Sequence, residues 1–338
     1  LKPLDFADLY TRGLAFKPPL IALLPFPFYA LFGRGMPQAL MANLACLAAA
    51  SFYAYRIGRR LHSPQAGALA VCFLNTTPIL YGVSRLFFVE CALAAVTIAA
   101  MDFLLAGAGK FPLGLTLGLG VLTKVSFPLY IGVPAALLAG RGRKPRDWLA
   151  VAAIAAALAA TWYALNLGSA LRFGGSAGFG DTARAYAPGS GPAGIASYAG
   201  ALISQCWSLP HFLTALLCGG IALGLKPRPR LKLHARDMLA VLAWILVPLA
   251  VLSLSPSRTY RWAAPAIAGA SVGLGILAAY AKSKLPRLPW SATALLFAAP
   301  LAVYWEQTTG RRLPMDPRNS QPRVLAHNGP PLRAGLYG

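Results

Sequence analysis

The sequence predicts an all-α membrane protein with many spanning helices. The chain of 338 residues is 57% hydrophobic and only 12% charged, and its mean hydropathy is +0.58. The apolar residues also form long uncharged blocks, and a spanning helix needs roughly 20 such residues. A soluble chain of this length could not surround so many apolar helices with polar layers. The blocks occupy 35–55, 61–84, 148–171, 185–225, 238–257, 262–281 and 288–305.

The net charge of +22 would suggest nucleic acid in a soluble protein. Here the Lys and Arg residues are spread through the connectors between apolar blocks, and no basic patch with interleaved stacking aromatics is present, so no nucleic-acid partner is predicted. The five Cys and four His residues lack ligand spacing. No cofactor is therefore predicted, and a divalent cation finds no support in the sequence.

The short basic connectors set the predicted topology. They lie at 56–60, Lys110, 141–146, 226–237 and 282–287, and the positive-inside rule places them in the cytoplasm. Two crossings are then needed between Lys110 and Arg141. Residues 111–123 and 125–140 are each short for a span, so we expect two short or tilted helices that meet at Lys124. The result is about 10 spanning helices within a transmembrane domain at 36–305.

The two ends of the chain are predicted outside. Residues 13–33 read GLAFKPPLIALLPFPFYALFG, and their four prolines favour a broken helix on the membrane surface over a spanning helix. Residues 1–35 are therefore an outer-face interfacial segment that holds Lys17. Residues 306–338 are an outer-face tail, either disordered or the start of a truncated domain. No initiator Met or first spanning helix precedes Leu1, so we expect the chain to begin partway into a longer protein.

Several charges depart from the positive-inside pattern and lie at the edges of apolar blocks, where a charge is costly and usually functional. Together with Lys17, the Arg and Lys residues among these charges would bind a phosphate at the level of the lipid headgroups, since Arg offers a bidentate fork and Lys a point charge. The alternative is that they are interfacial anchors whose side chains snorkel. The charges in question are Arg85, Glu90, Lys124, Arg258 and Arg261.

Asp102 is another carboxylate within a predicted span. It lies near the predicted inner side, where we expect it to pair with an Arg or Lys of a connector. The Gly-rich stretch 172–200 is predicted to be an outer loop. It is either a mobile cover over the site or a plain flexible loop.

Five segments, in order along nearly the whole chain, resemble motifs of the GT-C membrane glycosyltransferases, in the branch of protein O-mannosyltransferases and the lipid A aminoarabinose transferase. FKPPLIALLPFPFYALFG is similar to their KPPL…LFG segment, and SRLFFVECAL to their second outer loop. LGLTLGLGVLTKVSF resembles GLxxLTKG. TWYALN resembles PWYxxN, and RTYRWAAPAIAG resembles a late RYxxPxxP segment.

The resemblance implies an enzyme that transfers a sugar from a polyprenyl-phosphate donor to a lipid, glycan or protein acceptor. Transfer would take place at the outer face, with inversion, in what is expected to be a bacterial inner membrane whose lipids are further partners. By motif position, Glu90 is a candidate catalytic acid. The candidate donor-phosphate contacts are Lys17, Arg85, Lys124, Arg258 and Arg261.

The chain departs from the family pattern at its start. The family's principal acid belongs to an Asp-Glu pair upstream of KPPL, and no such pair is present here. Asp8 is either an unusual version of this acid, or the true acid precedes Leu1 and the fragment is inactive. The rival interpretation of the whole chain is a transporter or lipid flippase with a phosphate-binding outer cavity. Such a protein should place polar residues at midspan and show paired repeats.

Overall fold

The computed structural model describes residues 10–11, 16–140, 143–185, 191–225, 234–287 and 289–309. Within these ranges the regular structure is helical and no strand is found. The helices are α1 (Leu20–Leu23), α2 (Phe26–Phe32), α3 (Met36–Leu61), α4 (Pro64–Thr76), α5 (Pro78–Arg85), α6 (Val89–Ala106), α7 (Lys110–Thr123), α8 (Phe127–Leu138), α9 (Pro145–Gly178), α10 (Asp181–Ala185), α11 (Gly191–Ala201), a π-helix (Leu202–Ser208), α12 (Leu209–Gly224), α13 (Ala235–Leu254), a 3₁₀ helix (Tyr260–Ala263), α14 (Ala264–Lys284) and α15 (Trp290–Thr309).

The all-α membrane fold predicted from the sequence is confirmed. By length and composition, 6 helices of the described residues can cross a membrane, or up to 7 if the bent pair α4 and α5 is one span. That pair bends by 60° between Thr76 and Pro78, where Pro78 can begin a helix but cannot continue one. Shorter apolar helices include α7 and α8. The predicted number of about 10 spans stays a prediction.

The two short helices expected on either side of Lys124 are present as α7 and α8. Helix α7 runs parallel to α9, since Gly114 lies against Ile154 and, one turn further on, Gly118 lies against Leu158. A Cβ at Gly114 would stand 2.8 Å from the Ile154 Cβ, so the small residues let the two backbones approach. Helix α8 then runs back, because the Trp148 Nε1 donates to the Ala139 carbonyl at 2.7 Å, near the start of α9. The chain therefore reverses at Lys124.

Helices α6 and α14 form the centre of the bundle. In each of them 78% of an apolar stretch of 18 residues is buried inside the protein. The corresponding stretches of α3 and α13 are only 28% buried. Helix α14 packs closely on α4, where a Cβ at Gly275 would stand 2.4 Å from the Ala70 Cα. These central helices fix the position of the residues at their ends, which include Glu90 and Arg261.

The basic connectors, as far as the structure describes them, meet at one end of the bundle. Contacts link each connector to a neighbour: Arg56 and Arg60 to Asp102, Lys110 to Asp147, Arg143 to the Ala108 carbonyl, and Lys284 to the Leu225 carbonyl. The expected pairing of Asp102 with a connector cation is thus confirmed. The contacts agree with the prediction that these connectors lie on the same side of the membrane. Which side that is stays a prediction.

Two segments predicted on the outer side compare differently with the structure, since one is found as expected and the other is not. The broken helix expected in 13–33 is found as α1 and α2, separated at Leu24 and Pro25, and its position at a membrane surface stays a prediction. The prediction of a loop over 172–200 is wrong for its described part. Helix α9 continues to Gly178, and α10 and α11 follow, because the alanines that accompany the glycines favour helix.

Candidate functional site

Glu90 is the centre of a charged cluster at the end of the bundle opposite the basic connectors. It lies in the first turn of α6 and is only 2% exposed. The Lys124 Nζ donates to the Glu90 Oε1 at 2.9 Å, and the Arg261 Nε lies 3.6 Å from the same oxygen. A carboxylate in the first turn also interacts favourably with the helix dipole. The carboxylate is therefore held by two cations and by its own helix.

Each cation comes from a break in the helical structure. Helix α7 ends at Thr123, and Lys124 follows with an extended backbone, φ −159° and ψ 138°. Arg261 lies in the 3₁₀ helix Tyr260–Ala263, immediately before α14. Three segments that are far apart in sequence thus meet at one carboxylate. Only the packing of α6, α7 and α14 brings them together.

Aromatic rings hold both cations in place. The Arg261 guanidinium lies over the Phe88 ring at 4.7 Å, and the Lys124 Nζ lies 5.2 Å from the Trp262 ring centroid. Tyr130 fixes the backbone of this segment, since its hydroxyl donates to the Trp262 carbonyl at 2.6 Å. Cation–π contacts of this kind restrain a charged side chain without neutralising it.

The cluster has more positive than negative charge within reach of solvent. The Glu90 side chain is 3% exposed, whereas those of Lys124 and Arg261 are 20% and 33% exposed. Two cations against one carboxylate leave one positive charge uncompensated in this group. An anion could therefore contact the cations from the open side, and the buried carboxylate would keep them aligned.

Arg258 belongs to the same loop but makes different contacts. It is 7% exposed, and its Nε lies 3.4 Å from the Ser253 carbonyl. Its φ of 41° is in the left-handed region, where a non-glycine residue is strained and often functional. Nearby, the Tyr260 ring stacks on the Tyr198 ring of α11, with centroids 5.6 Å apart and planes inclined by 11°. This stack joins the Arg258–Arg261 loop to α11.

The remaining predicted site residues are not in contact with Glu90. Lys17 is exposed and lies 6.0 Å from the Phe173 ring centroid. Arg85 is exposed and pairs with the Tyr81 hydroxyl at 2.5 Å. Asp8 lies outside the described residues. One outward cavity that contains the heads of Lys17, Arg85, Glu90, Lys124 and Arg258 stays a prediction, and so do the roles assigned to these residues.

Some residues of the site were not foreseen from the sequence. Phe88 lies two residues before Glu90, and Trp262 directly follows Arg261, but nothing in the sequence shows which cation each ring contacts. Asn43 also touches this region, and it is the first amide within the apolar run that begins after Gln38. An amide inside a spanning segment is a signal for a functional or structural role.

The structure offers no cluster of metal ligands in its described part. No group of three or more His, Cys, Asp or Glu side chains there could hold a metal ion. The two partly exposed cations of the Glu90 cluster, Lys124 and Arg261, have the chemistry to bind an anion and stabilise its charge.

Fold and site together define a polytopic helical membrane protein with a paired, buried carboxylate at one end of its bundle. A family model described as dolichyl-phosphate-mannose-protein mannosyltransferase matches residues 16–164. This range contains the KPPL, second-loop and LTK segments, so the resemblance predicted from the motifs is confirmed there. No curated protein matches the sequence.

The fold is similar to that of ArnT from Cupriavidus metallidurans. The chain is similar to the crystal structure of ArnT bound to undecaprenyl phosphate, with 19% identity and a TM-score of 0.60, over 92% of this chain and 59% of that one. It is likewise similar to apo ArnT, with 17% identity and a TM-score of 0.62, over 90% and 58% of the two chains. The chain thus spans less than two thirds of the length of ArnT and shares its GT-C-type fold.

Proposed function

We propose that this chain is the membrane part of a glycosyltransferase that moves a sugar from a polyprenyl-phosphate donor to an acceptor. The observation that carries the proposal is the pairing of Lys124 and Arg261 with the buried Glu90. The family description of residues 16–164 and the undecaprenyl phosphate in the ArnT structure support the same substrate class. The acceptor is a lipid, glycan or protein.

The proposed reaction needs cations for the departing phosphate. When the bond between the anomeric carbon and the phosphate oxygen breaks, its electron pair goes to the phosphate, and the acceptor oxygen loses a proton to a base. Lys124 and Arg261 would stabilise the charge that develops on the phosphate, the kind of electrostatic contribution that is usually large in catalysis. Attack from the side opposite the phosphate inverts the anomeric centre.

Glu90 is best suited to positioning these cations. Its Oε1 faces both Lys124 and Arg261, and its side chain is 3% exposed, which leaves little surface for an acceptor hydroxyl. A general base must lie within hydrogen-bond reach of the proton that it removes. We assign the base to another carboxylate, and Asp8, upstream of the KPPL segment, is the candidate that the resemblance supplies.

The donor-phosphate proposal is tested by alanine variants of the full-length protein that contains this chain. Under this proposal Arg261→Ala, Arg258→Ala and Lys17→Ala would each remove one contact to the donor phosphate, about 1.5–3 kcal/mol for a charge-assisted hydrogen bond, which corresponds to a loss of roughly 10- to 150-fold in transfer rate. Lys17→Arg should recover only part of the rate, because a fork replaces a point charge. The assay is transfer of a radiolabelled sugar from a polyprenyl-phosphate carrier in membranes of a host that lacks the enzyme.

The matched control is Lys110→Ala, at the opposite end of the bundle. Lys110 also pairs with a carboxylate, at 3.0 Å from the Asp147 Oδ1, but its side chain is 53% exposed. Its removal should leave the transfer rate near that of the wild type. Wild-type rates in the Arg261, Arg258 and Lys17 variants at limiting donor would refute the phosphate site and favour a transporter or flippase.

The outer-face location and the bacterial inner membrane belong to the same proposal. Support comes from the basic connectors, which meet at the end opposite Glu90, since the positive-inside rule would place that end in the cytoplasm. In a cysteine-free background, an impermeant thiol reagent should label a Cys introduced at Ser190 and spare one at Leu233. The reverse labelling pattern would contradict the orientation.

A further inference from the structure

Asn43 is a fully buried amide in α3 that contacts the end of another helix. Its exposed fraction is 0%. Its Nδ2 lies 2.7 Å from the Leu86 carbonyl oxygen, and 3.3 and 3.4 Å from those of Ser84 and Val83. Helix α5 ends at Arg85, so the Val83 and Ser84 carbonyls have no partner within their own helix, and the Leu86 carbonyl lies just beyond it. The amide of Asn43 supplies the missing donors.

The main chain of Asn43 holds the other side of the same turn. The Cys91 Sγ donates to the Asn43 carbonyl oxygen at 3.4 Å. Residues 86–88 connect α5 to α6, and within them the Phe88 N–H donates to the Leu86 carbonyl at 2.6 Å. Asn43 therefore contacts the residue that opens this turn and the residue that follows Glu90.

The turn carries two parts of the charged cluster. The Phe88 ring lies under the Arg261 guanidinium, and Glu90 lies two residues further along the chain, in the first turn of α6. If residues 86–88 move, the ring and the carboxylate that hold Arg261 and Lys124 move with them. A displacement of about 1 Å in a positioning group can reduce a rate by roughly 100-fold.

The amide of Asn43 is also incompletely satisfied, which argues against a role in packing alone. Its Oδ1 is buried and has no hydrogen-bond partner among the described residues. An unpaired buried oxygen is unfavourable, and an apolar side chain of similar size would avoid it. The N–H donors are the part of the side chain that the fold uses.

We infer that Asn43 is a positioning residue for the charged cluster, which acts by fixing the turn 86–88 and, through it, Glu90 and Phe88. Its influence on catalysis rests on the proposed function, since it acts through the cations that hold the donor phosphate. Its influence on the turn does not depend on that function.

The experiment uses Asn43→Ala and Asn43→Asp in the full-length protein. Asn75→Ala and Asn75→Asp are matched controls, because the Asn75 Nδ2 also donates to a side chain and a carbonyl within the bundle, the Ser51 Oγ and the Val71 O, each at 2.9 Å. Hydrogen–deuterium exchange of a peptide that covers 81–92 measures the turn. Steady-state transfer with varied donor separates kcat from KM.

The expected result has two parts. Amide exchange in 81–92 should be at least about tenfold faster in both Asn43 variants and unchanged in the Asn75 variants, because Asn43 donates to the turn and Asn75 donates to Ser51 and Val71. The kcat should be about 100-fold lower, with the donor KM within about threefold of wild type. A residue that served stability alone would lower the amount of folded enzyme and leave the kcat per folded molecule unchanged.

The outcomes separate this inference from the proposed function. Unchanged exchange in 81–92, or faster exchange with a wild-type kcat, would overturn the positioning role and leave the transfer activity standing. If the wild-type protein transfers no sugar, the proposed function fails, and the exchange data alone decide whether Asn43 holds the turn. Should Asn43→Asp fail to fold, Asn43→Ala, which introduces no charge, decides the result.

Discussion

Helix α6 has a buried carboxylate near each end, and the two differ in how they are paired. Glu90, in its first turn, is 2% exposed, and Asp102, in its last turns, is 0% exposed. Each faces two cations, at 2.9 and 3.6 Å for Glu90 and at 3.1 and 3.6 Å for Asp102. The partners of Asp102, Arg56 and Arg60, are one turn apart on the single helix α3. The partners of Glu90 come from two separate interruptions of the helical structure, one after α7 and one before α14.

The ion pairs of Asp102 join two helices, whereas those of Glu90 form the candidate site. The Asp102 group fastens α6 to α3, and its position near the C-terminal end of α6 is unfavourable for a carboxylate unless cations compensate. Glu90 is already favoured by its helix, and its cations are held additionally by the rings of Phe88 and Trp262. We therefore expect changes at Asp102 to affect stability and changes at Glu90 to affect the transfer reaction.

The largest effect should follow from the double variant Arg56→Ala, Arg60→Ala. It leaves the Asp102 carboxylate buried without a cation, which costs about 3–5 kcal/mol in the free energy of unfolding. Thermal unfolding in detergent, read by a buried-thiol reagent, measures the loss. The control is Asp102→Asn, which removes the buried charge and leaves two Arg side chains that are each 34% exposed. Equal destabilisation by the control and the double variant would contradict the structural role of the pair.

Lys124→Ala should produce the next largest change, in rate. It removes one cation from the proposed phosphate site, and the loss of a charge-assisted bond of about 1.5–3 kcal/mol corresponds to roughly 10- to 150-fold in transfer rate. Transfer from a radiolabelled donor at limiting concentration is the measurement. Lys124→Arg serves as the comparison and should restore part of the rate. An unchanged rate in Lys124→Ala would remove Lys124 from the site.

Glu90→Gln tests whether the charge of Glu90 contributes to transfer, because Gln keeps the shape of the side chain and removes its charge. The amide oxygen still accepts from the Lys124 ammonium, but the ion-pair attraction, about 1 kcal/mol for a partly exposed pair, is lost, so the transfer rate should fall roughly 5-fold. Asp102→Asn, assayed in parallel, should keep the wild-type rate per folded molecule. A loss of rate in Asp102→Asn as large as that in Glu90→Gln would show that the two ends of α6 are not distinct.

The smallest effect is expected from Phe88→Leu. The substitution removes the ring under the Arg261 guanidinium and keeps an apolar side chain in the turn. A cation–π contact at a partly exposed site contributes about 0.5–1 kcal/mol, which corresponds to roughly a 2- to 5-fold fall in transfer rate. Phe88→Tyr retains the ring and should stay close to wild type. If Phe88→Tyr were as slow as Phe88→Leu, the ring contact would not be the cause.

Much of the fold could be predicted from the sequence, because apolar blocks and basic connectors follow from local composition. The reversal at Lys124 also followed, since two short segments between basic connectors must change direction. The helical part of 172–200 was predicted wrongly, because its glycines suggested a loop although α9 continues to Gly178 and the alanine-containing helices α10 and α11 follow. Glycine count alone does not decide backbone conformation in an apolar environment.

The candidate site was predictable only as a set of residue types. Charges at the edges of apolar blocks identified Glu90, Lys124 and Arg261 as unusual, because a charge in a membrane is costly wherever it lies. That Arg261 and Lys124 share one oxygen of Glu90 could not be foreseen, since it depends on how α7 and the loop before α14 pack beside α6. For the same reason the sequence did not reveal that Lys17 and Arg85 make their contacts elsewhere.

The amino-acid sequence was sufficient to predict a helical membrane protein, its basic connectors and the cations that we propose to hold a phosphate. These properties depend on hydrophobicity and charge, which act locally along the chain. The tertiary structure alone decided which cations meet Glu90, which rings restrain them and that Asn43 holds the turn before α6. Such contacts join residues far apart in sequence, and they depend on how the helices pack, which small residues such as Gly114 and Gly275 bring close to their neighbours.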